Sequence, residues 1–118
     1  MVNPPKRTVY FISDRTGITA ETLGHSLLTQ FEGIEFEQVI YPFVDTPERA
    51  YQIIKRIDET CEQTGERALI FATVVNPEIS SIIAQSKAMT IDFFNTFIAP
   101  MEAELGHRSC YRVGQSHG

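Results

Sequence analysis

Short apolar runs alternate along this chain with stretches in which apolar residues recur every three or four positions. That alternation reads as strand, helix, strand, helix. Residues 8–12 (Thr-Val-Tyr-Phe-Ile) are β-branched, aromatic and apolar, which predicts a buried strand ending at Ser13-Asp14. After the turn Arg15-Thr16-Gly17, helical spacing begins near Thr19, with Ala20, Leu23, Leu27 and Phe31 as the expected inward face and Leu28 beside it. Residues 36–41 read as a second strand stopped by Pro42. Thr46-Pro47-Glu48 is a helix start: threonine can cap, and proline at the first helical position gives up an amide that has no helical partner anyway. Ala50, Ile53, Ile54, Ile57 and Cys61 then share one face, and Gly65 ends the helix. Residues 68–75 form the longest apolar run and predict a central parallel strand. Asn76-Pro77-Glu78 repeats the helix-start device ahead of Ile79, Ile82 and Ile83. Residues 88–91 predict a fourth strand. Asp92 is placed to cap a last helix through Leu105, closed by Gly106, with Pro100 expected to kink or divide it.

Four strands alternating with helices through short links predict a small doubly wound, Rossmann-like α/β domain: a parallel sheet with helices on both faces. The 118 residues suit one domain, spanning 1–106, with the polar segment 107–118 read as a tail or linker. Charge narrows the function classes. The net charge is −5, and lysines and arginines are scattered rather than striped, so a nucleic-acid partner is not expected. No apolar run approaches the roughly 20 residues of a membrane span, and the N-terminus lacks the apolar core of a signal peptide. The expectation is a cytoplasmic protein with Cys61 and Cys110 as reduced thiols.

Open α/β sheets bind ligands beyond the carboxyl ends of their strands. The candidate site is therefore the loop 13–19, Ser-Asp-Arg-Thr-Gly-Ile-Thr. A helix start offers outward amides and partial positive charge to an anion. Gly17 allows positive φ or close approach, Ser13, Thr16 and Thr19 bring hydroxyls, and Arg15 brings charge. Asp14 opposes a bare anion and suits a hydroxyl, a metal-bound water or the loop's own amides. The same residue types also serve as ordinary caps, so two readings stand: a phosphate or ligand site at Ser13, Asp14, Thr16, Gly17 and Thr19, or a capped turn. The loop is neither a Walker A sequence nor a Gly-x-Gly-x-x-Gly fingerprint. Asp45 and Glu78 would share its rim but are accounted for as helix starts, and His25 as a surface residue of the first helix. His107, Cys110 and His117 match no zinc spacing and lack a fourth ligand, so no metal site is assigned. Phe93, Phe94 and Phe97 read as core packing or as a contact surface.

The stretch from Tyr10 to Gly24, YFISDRTGITAETLG, closely resembles the opening motif of the regulatory family of bacterial phosphoenolpyruvate synthase and of pyruvate, phosphate dikinase. Colinear matches follow at Tyr41-Pro42-Phe43-Val44, Asn76-Pro77-Glu78-Ile79, Ala99-Pro100-Met101-Glu102 and Gly114-Gln115-Ser116-His117-Gly118. The resemblance implies a bifunctional enzyme. It would use ADP to phosphorylate a threonine of its target, inactivating it, and inorganic phosphate to remove that group with release of pyrophosphate. ADP or ATP, phosphate and magnesium are the implied small-molecule partners of the full-length protein. The synthase or the dikinase is the implied protein partner, with a homodimer as a further possibility. The family's Gly-Lys-Thr nucleotide loop has no counterpart in these residues. The resemblance thus covers the N-terminal half, with a P-loop kinase domain expected beyond the tail, no catalytic residue transferable, and the isolated chain expected to be inactive. The motif residues Ser13, Asp14, Thr16, Gly17, Thr19, Ala20 and Glu21 carry over without an assigned role. The alternative of a different class is a non-catalytic docking or dimerisation module. A receiver-like or flavodoxin-like domain is a third reading; it lacks a lysine at the end of a late strand and any tryptophan.

Overall fold

The structure is a computed structural model describing residues 6–110. Its elements run β1 (Lys6–Ser13), α1 (Ile18–Leu28), β2 (Glu35–Tyr41), α2 (Pro47–Thr64), β3 (Leu69–Thr73), α3 (Pro77–Ile83), β4 (Met89–Asp92) and α4 (Phe93–Leu105). All strands are parallel, in the order β2-β1-β3-β4, so β1 and β3 are central. This is the small doubly wound sheet that the alternation predicts. Side chains alternate across β1: Val9 and Phe11 face α1 and α4, while Tyr10 and Ile12 face α2 and α3.

The helix starts obey local chemistry. The Thr46 hydroxyl accepts the Arg49 amide at 3.2 Å, and Pro47 opens α2. The Asn76 side chain accepts the Glu78 amide at 2.8 Å, and Pro77 opens α3. Gly65 and Gly106 close α2 and α4 in the left-handed conformation. The five expected apolar residues of α2 are all buried.

One expectation fails. The buried face of α1 is Ala20, Gly24 and Leu28, while Leu23, Leu27 and Phe31 are exposed. The cause is Gly24: a Cβ there would lie 2.4 Å from Phe11 Cε1, so the helix sits on the sheet at its smallest residue. The large side chains rotate outward as a result. Pro100, expected to kink or divide α4, lies inside the helix without dividing it. Both Pro100 and Thr96, whose carbonyl loses its partner, are exposed, so water can satisfy the orphaned oxygen.

Candidate functional site at the sheet switch point

The chain leaves β1 towards α1 on one face and leaves β3 towards α3 on the other. A crevice opens where neighbouring strands send their connections to opposite faces. A cleft of about 900 Å³ occupies this position, bounded by the 13–19 loop, the end of β3, α3, the end of β4 and the first turns of α4. Its size falls within the range of small-molecule sites, roughly 300–1,000 Å³.

The sequence-predicted residues gather here. Ser13 is buried, and its hydroxyl accepts the Arg15 amide at 3.0 Å. Asp14 crosses to the segment just after β3, where Oδ2 accepts the Val75 amide at 2.9 Å. Thr16 Oγ1 accepts the Ile18 amide at 3.4 Å. Gly17 adopts φ 87°, and a Cβ there would come 3.2 Å from Ile40 Cγ2, so glycine meets both a backbone and a space requirement. It is the N-cap of α1 and provides no side-chain cap. Ile18, whose amide Thr16 accepts, begins the helix; the Thr19 and Ala20 amides behind it meet no side chain of the N-cap residue, and Thr19 itself is exposed. A second rim segment is pinned to the loop: the Phe43 amide donates to the Arg15 carbonyl at 2.7 Å and the Val44 amide to the Ser13 carbonyl at 2.8 Å.

Burial pushes the Asp14 carboxyl above its ordinary value, and the nearby Asp45 charge adds to this. The Val75 amide, the Asp14 amide and Arg15 act in the opposite direction and do not cancel it. Asp45 thus belongs to the electrostatics of the loop, whereas Glu78 sits in the first turn of α3. His25 is exposed in the last turn of α1.

The far wall carries chemistry that sequence reading missed. Ser80 on α3 donates to Asp92 Oδ2 at the end of β4, and the Asn95 side chain donates to the same oxygen at 2.8 Å. Asp92 Oδ1 caps α4 through the Asn95 amide at 3.0 Å, as its position predicts. Thr90 and Ser109 line the cleft with buried hydroxyl oxygens that have no partner among the described residues. These groups converge from α3, β4, α4 and the segment after it, and no local motif announces them. The phenylalanine cluster divides: Phe93 is core, Phe94 lines the cleft and Phe97 is exposed. Cys110 also lines the cleft, while His117 lies outside the described residues, as do the Gly114–Gly118 landmark and most of the tail. Among the described residues no three His, Cys, Asp or Glu side chains group as metal ligands. No helix among them is long and apolar enough to cross a membrane.

These features define a doubly wound α/β domain with a ligand-sized cleft at its switch point, walled on one side by a hydroxyl-rich loop. The kinase/pyrophosphorylase family profile matches residues 9–118, and the chain belongs to that family. It is 52% identical over 111 residues to a protein of Janthinobacterium sp. (strain Marseille), covering 94% of this chain and 39% of the relative. It is 53% identical over 112 residues to one from Stutzerimonas stutzeri (strain A1501), covering 95% and 41%. It is 52% identical over 118 residues to one from Aromatoleum aromaticum (strain DSM 19018 / LMG 30748 / EbN1), covering 100% and 43%. Each relative is named, provisionally, a phosphoenolpyruvate synthase regulatory protein. The chain spans about two fifths of the length of these relatives.

Proposed function

We propose that this chain is the α/β portion of a bifunctional regulator of phosphoenolpyruvate synthase or pyruvate, phosphate dikinase, and that its 13–19 loop recognises phosphate groups in that reaction cycle. In the forward reaction the threonine hydroxyl of the target takes the β-phosphoryl group of ADP and AMP leaves. In the reverse, inorganic phosphate takes the phosphoryl group from the threonine, forming pyrophosphate and restoring the hydroxyl. Phosphate groups enter or leave at every step, so a phosphate-recognising loop has a use in both directions. The nucleotide loop proper belongs to the part of the relatives that this chain does not match, and the isolated chain is accordingly inactive in this reading. Magnesium that accompanies the nucleotide finds no three-ligand set among the described residues, and no step is assigned through it.

The observation that carries the reading is the start of α1, whose N-cap residue Gly17 brings no side chain. Gly17 turns the chain with a left-handed φ and provides no side-chain cap, and Thr19 behind it lies on the rim of the cleft. Free amides at a positive helix end suit an anion. Thr16, Thr19 and Arg15 supply further donors, and Ser13 and Asp14 hold the loop in shape through the Arg15 and Val75 amides.

A specific observation favours the second reading, a docking module: the Ser13, Asp14 and Thr16 side chains already accept amides of the fold itself. Titration calorimetry of the 118-residue chain with phosphate, pyrophosphate, ADP and ATP, with and without magnesium, separates the two. Saturable binding that weakens about tenfold or more in Thr16→Val/Thr19→Val, as expected when two donors to a charged ligand are lost, supports the phosphate site. A folded sample that binds none of the four leaves the loop as a capped turn and the domain as a docking element.

A further inference from the structure

Helix α4 carries many apolar residues and buries few of them. Of its thirteen residues only Phe93 is buried. Phe97, Met101 and Leu105 stand 57%, 53% and 70% exposed. Spaced four apart, they form one stripe along the helix. This stripe is continuous with the core. Phe11, Phe71, Phe93 and Phe97 stack in sequence with centroids 5.7, 5.6 and 6.3 Å apart, so the aromatic ladder starts at the sheet and ends in the open. Helix α2 shows what this sequence does with a covered helix, since all five residues of its apolar face are buried. An amphipathic helix whose apolar row points outward is a docking element, and recognition through residues at helical spacing is a common mode.

We propose that the Phe97/Met101/Leu105 stripe of α4 is the seat of the polypeptide that makes up the other three fifths of the relatives' length. The length argues for this occupant. The relatives at 51–53% identity carry well over half of their residues outside the match, and those residues must pack somewhere. The stripe is an apolar row already continuous with this domain's core, as an interdomain contact needs. A second copy of this chain is the competing occupant. It would bring together two chains that each carry a net charge of −5. The proposal concerns an interdomain contact and does not depend on what the 13–19 loop binds.

Hydrogen–deuterium exchange tests it on two intact proteins: the 118-residue chain and the full-length Janthinobacterium relative, each over a range of concentrations. The amides of α4 are expected to exchange at least tenfold more slowly in the relative than in this chain, at all concentrations. Equal exchange in both overturns the proposal. Protection of α4 that already appears in the 118-residue chain and grows with its concentration also overturns it, in favour of self-association. Phe97→Ser/Leu105→Lys in this chain provides the control for folding. Its melting temperature falls by no more than the loss of the Phe93–Phe97 stack explains, a few degrees, and a large loss of stability overturns the proposal.

Discussion

At the scale of single residues, two positions decide more than their neighbours. Gly24 sets the distance between α1 and the sheet. An alanine ordinarily improves a helix interior by about 1 kcal/mol over glycine. Here its Cβ would enter the stacked rings of Phe11 and Phe71, at 2.4 and 3.0 Å. Overpacking of this kind costs about 1–3 kcal/mol, so Gly24→Ala is expected to lower stability by up to ~2 kcal/mol net, read by chemical denaturation. An increase in stability would mean that α1 can lift from the sheet without loss. Asp14 is the other position. Burial raises its carboxyl above the ordinary value near 3.8, so the folded state favours the protonated form. A raised value contributes stability below the unfolded value, and that contribution is lost as pH rises through the folded one. Stability of the parent should therefore decline as pH climbs from about 4 through the shifted value, and Asp14→Asn should flatten that decline while still accepting the Val75 amide. Denaturation midpoints between pH 3 and 7 measure both slopes. Equal slopes would remove Asp14 as the cause.

At the scale of elements, α3 shows how local chemistry serves the site. It has seven residues, too few to be stable by propensity. The Asn76 side chain accepts the Glu78 and Ile79 amides, at 2.8 and 3.4 Å, and fixes where the helix begins. That start places Ser80 against Asp92, which ties α3 to the end of β4 across the cleft. Asn76→Ala is expected to cost about 1 kcal/mol and Asn76→Asp much less, since aspartate also caps. A shift in the melting temperature for alanine that aspartate does not rescue would show that the cap is not the cause. Strand and helix locations were legible because each rests on a local signal: the apolar runs of β1 and β3, the Thr46-Pro47 and Asn76-Pro77 starts, the Gly65 and Gly106 ends. The orientation of α1 was not. Leu23, Leu27 and Phe31 have the spacing of a buried face, and the preference of a helix for its largest apolar row was overruled by a glycine fitting between two rings on different strands.

At the scale of the whole molecule, the strand order 2-1-3-4 turns a list of loops into a site. The 13–19 loop could be singled out from the sequence because it follows the first strand and opens a helix. The opposite wall could not. Ser80, Thr90, Asn95 and Ser109 are spread over 30 positions and meet only because β4 pairs with β3 and α4 starts without a connecting loop. The sequence by itself determined the α/β class, the element order, the helix caps and the loop that lines the cleft, because each depends on contacts within a few residues. It also carried the family resemblance, since the 10–24 motif and the later landmarks are linear features. Only the tertiary structure decided which face of α1 is buried, that Asp14 is spent on the Val75 amide, that Gly17 is the N-cap of α1 beside a cleft, and that α4 holds an apolar row outward. Those are outcomes of packing between segments far apart in the chain, where the fit of a side chain depends on what another strand or helix brings to meet it.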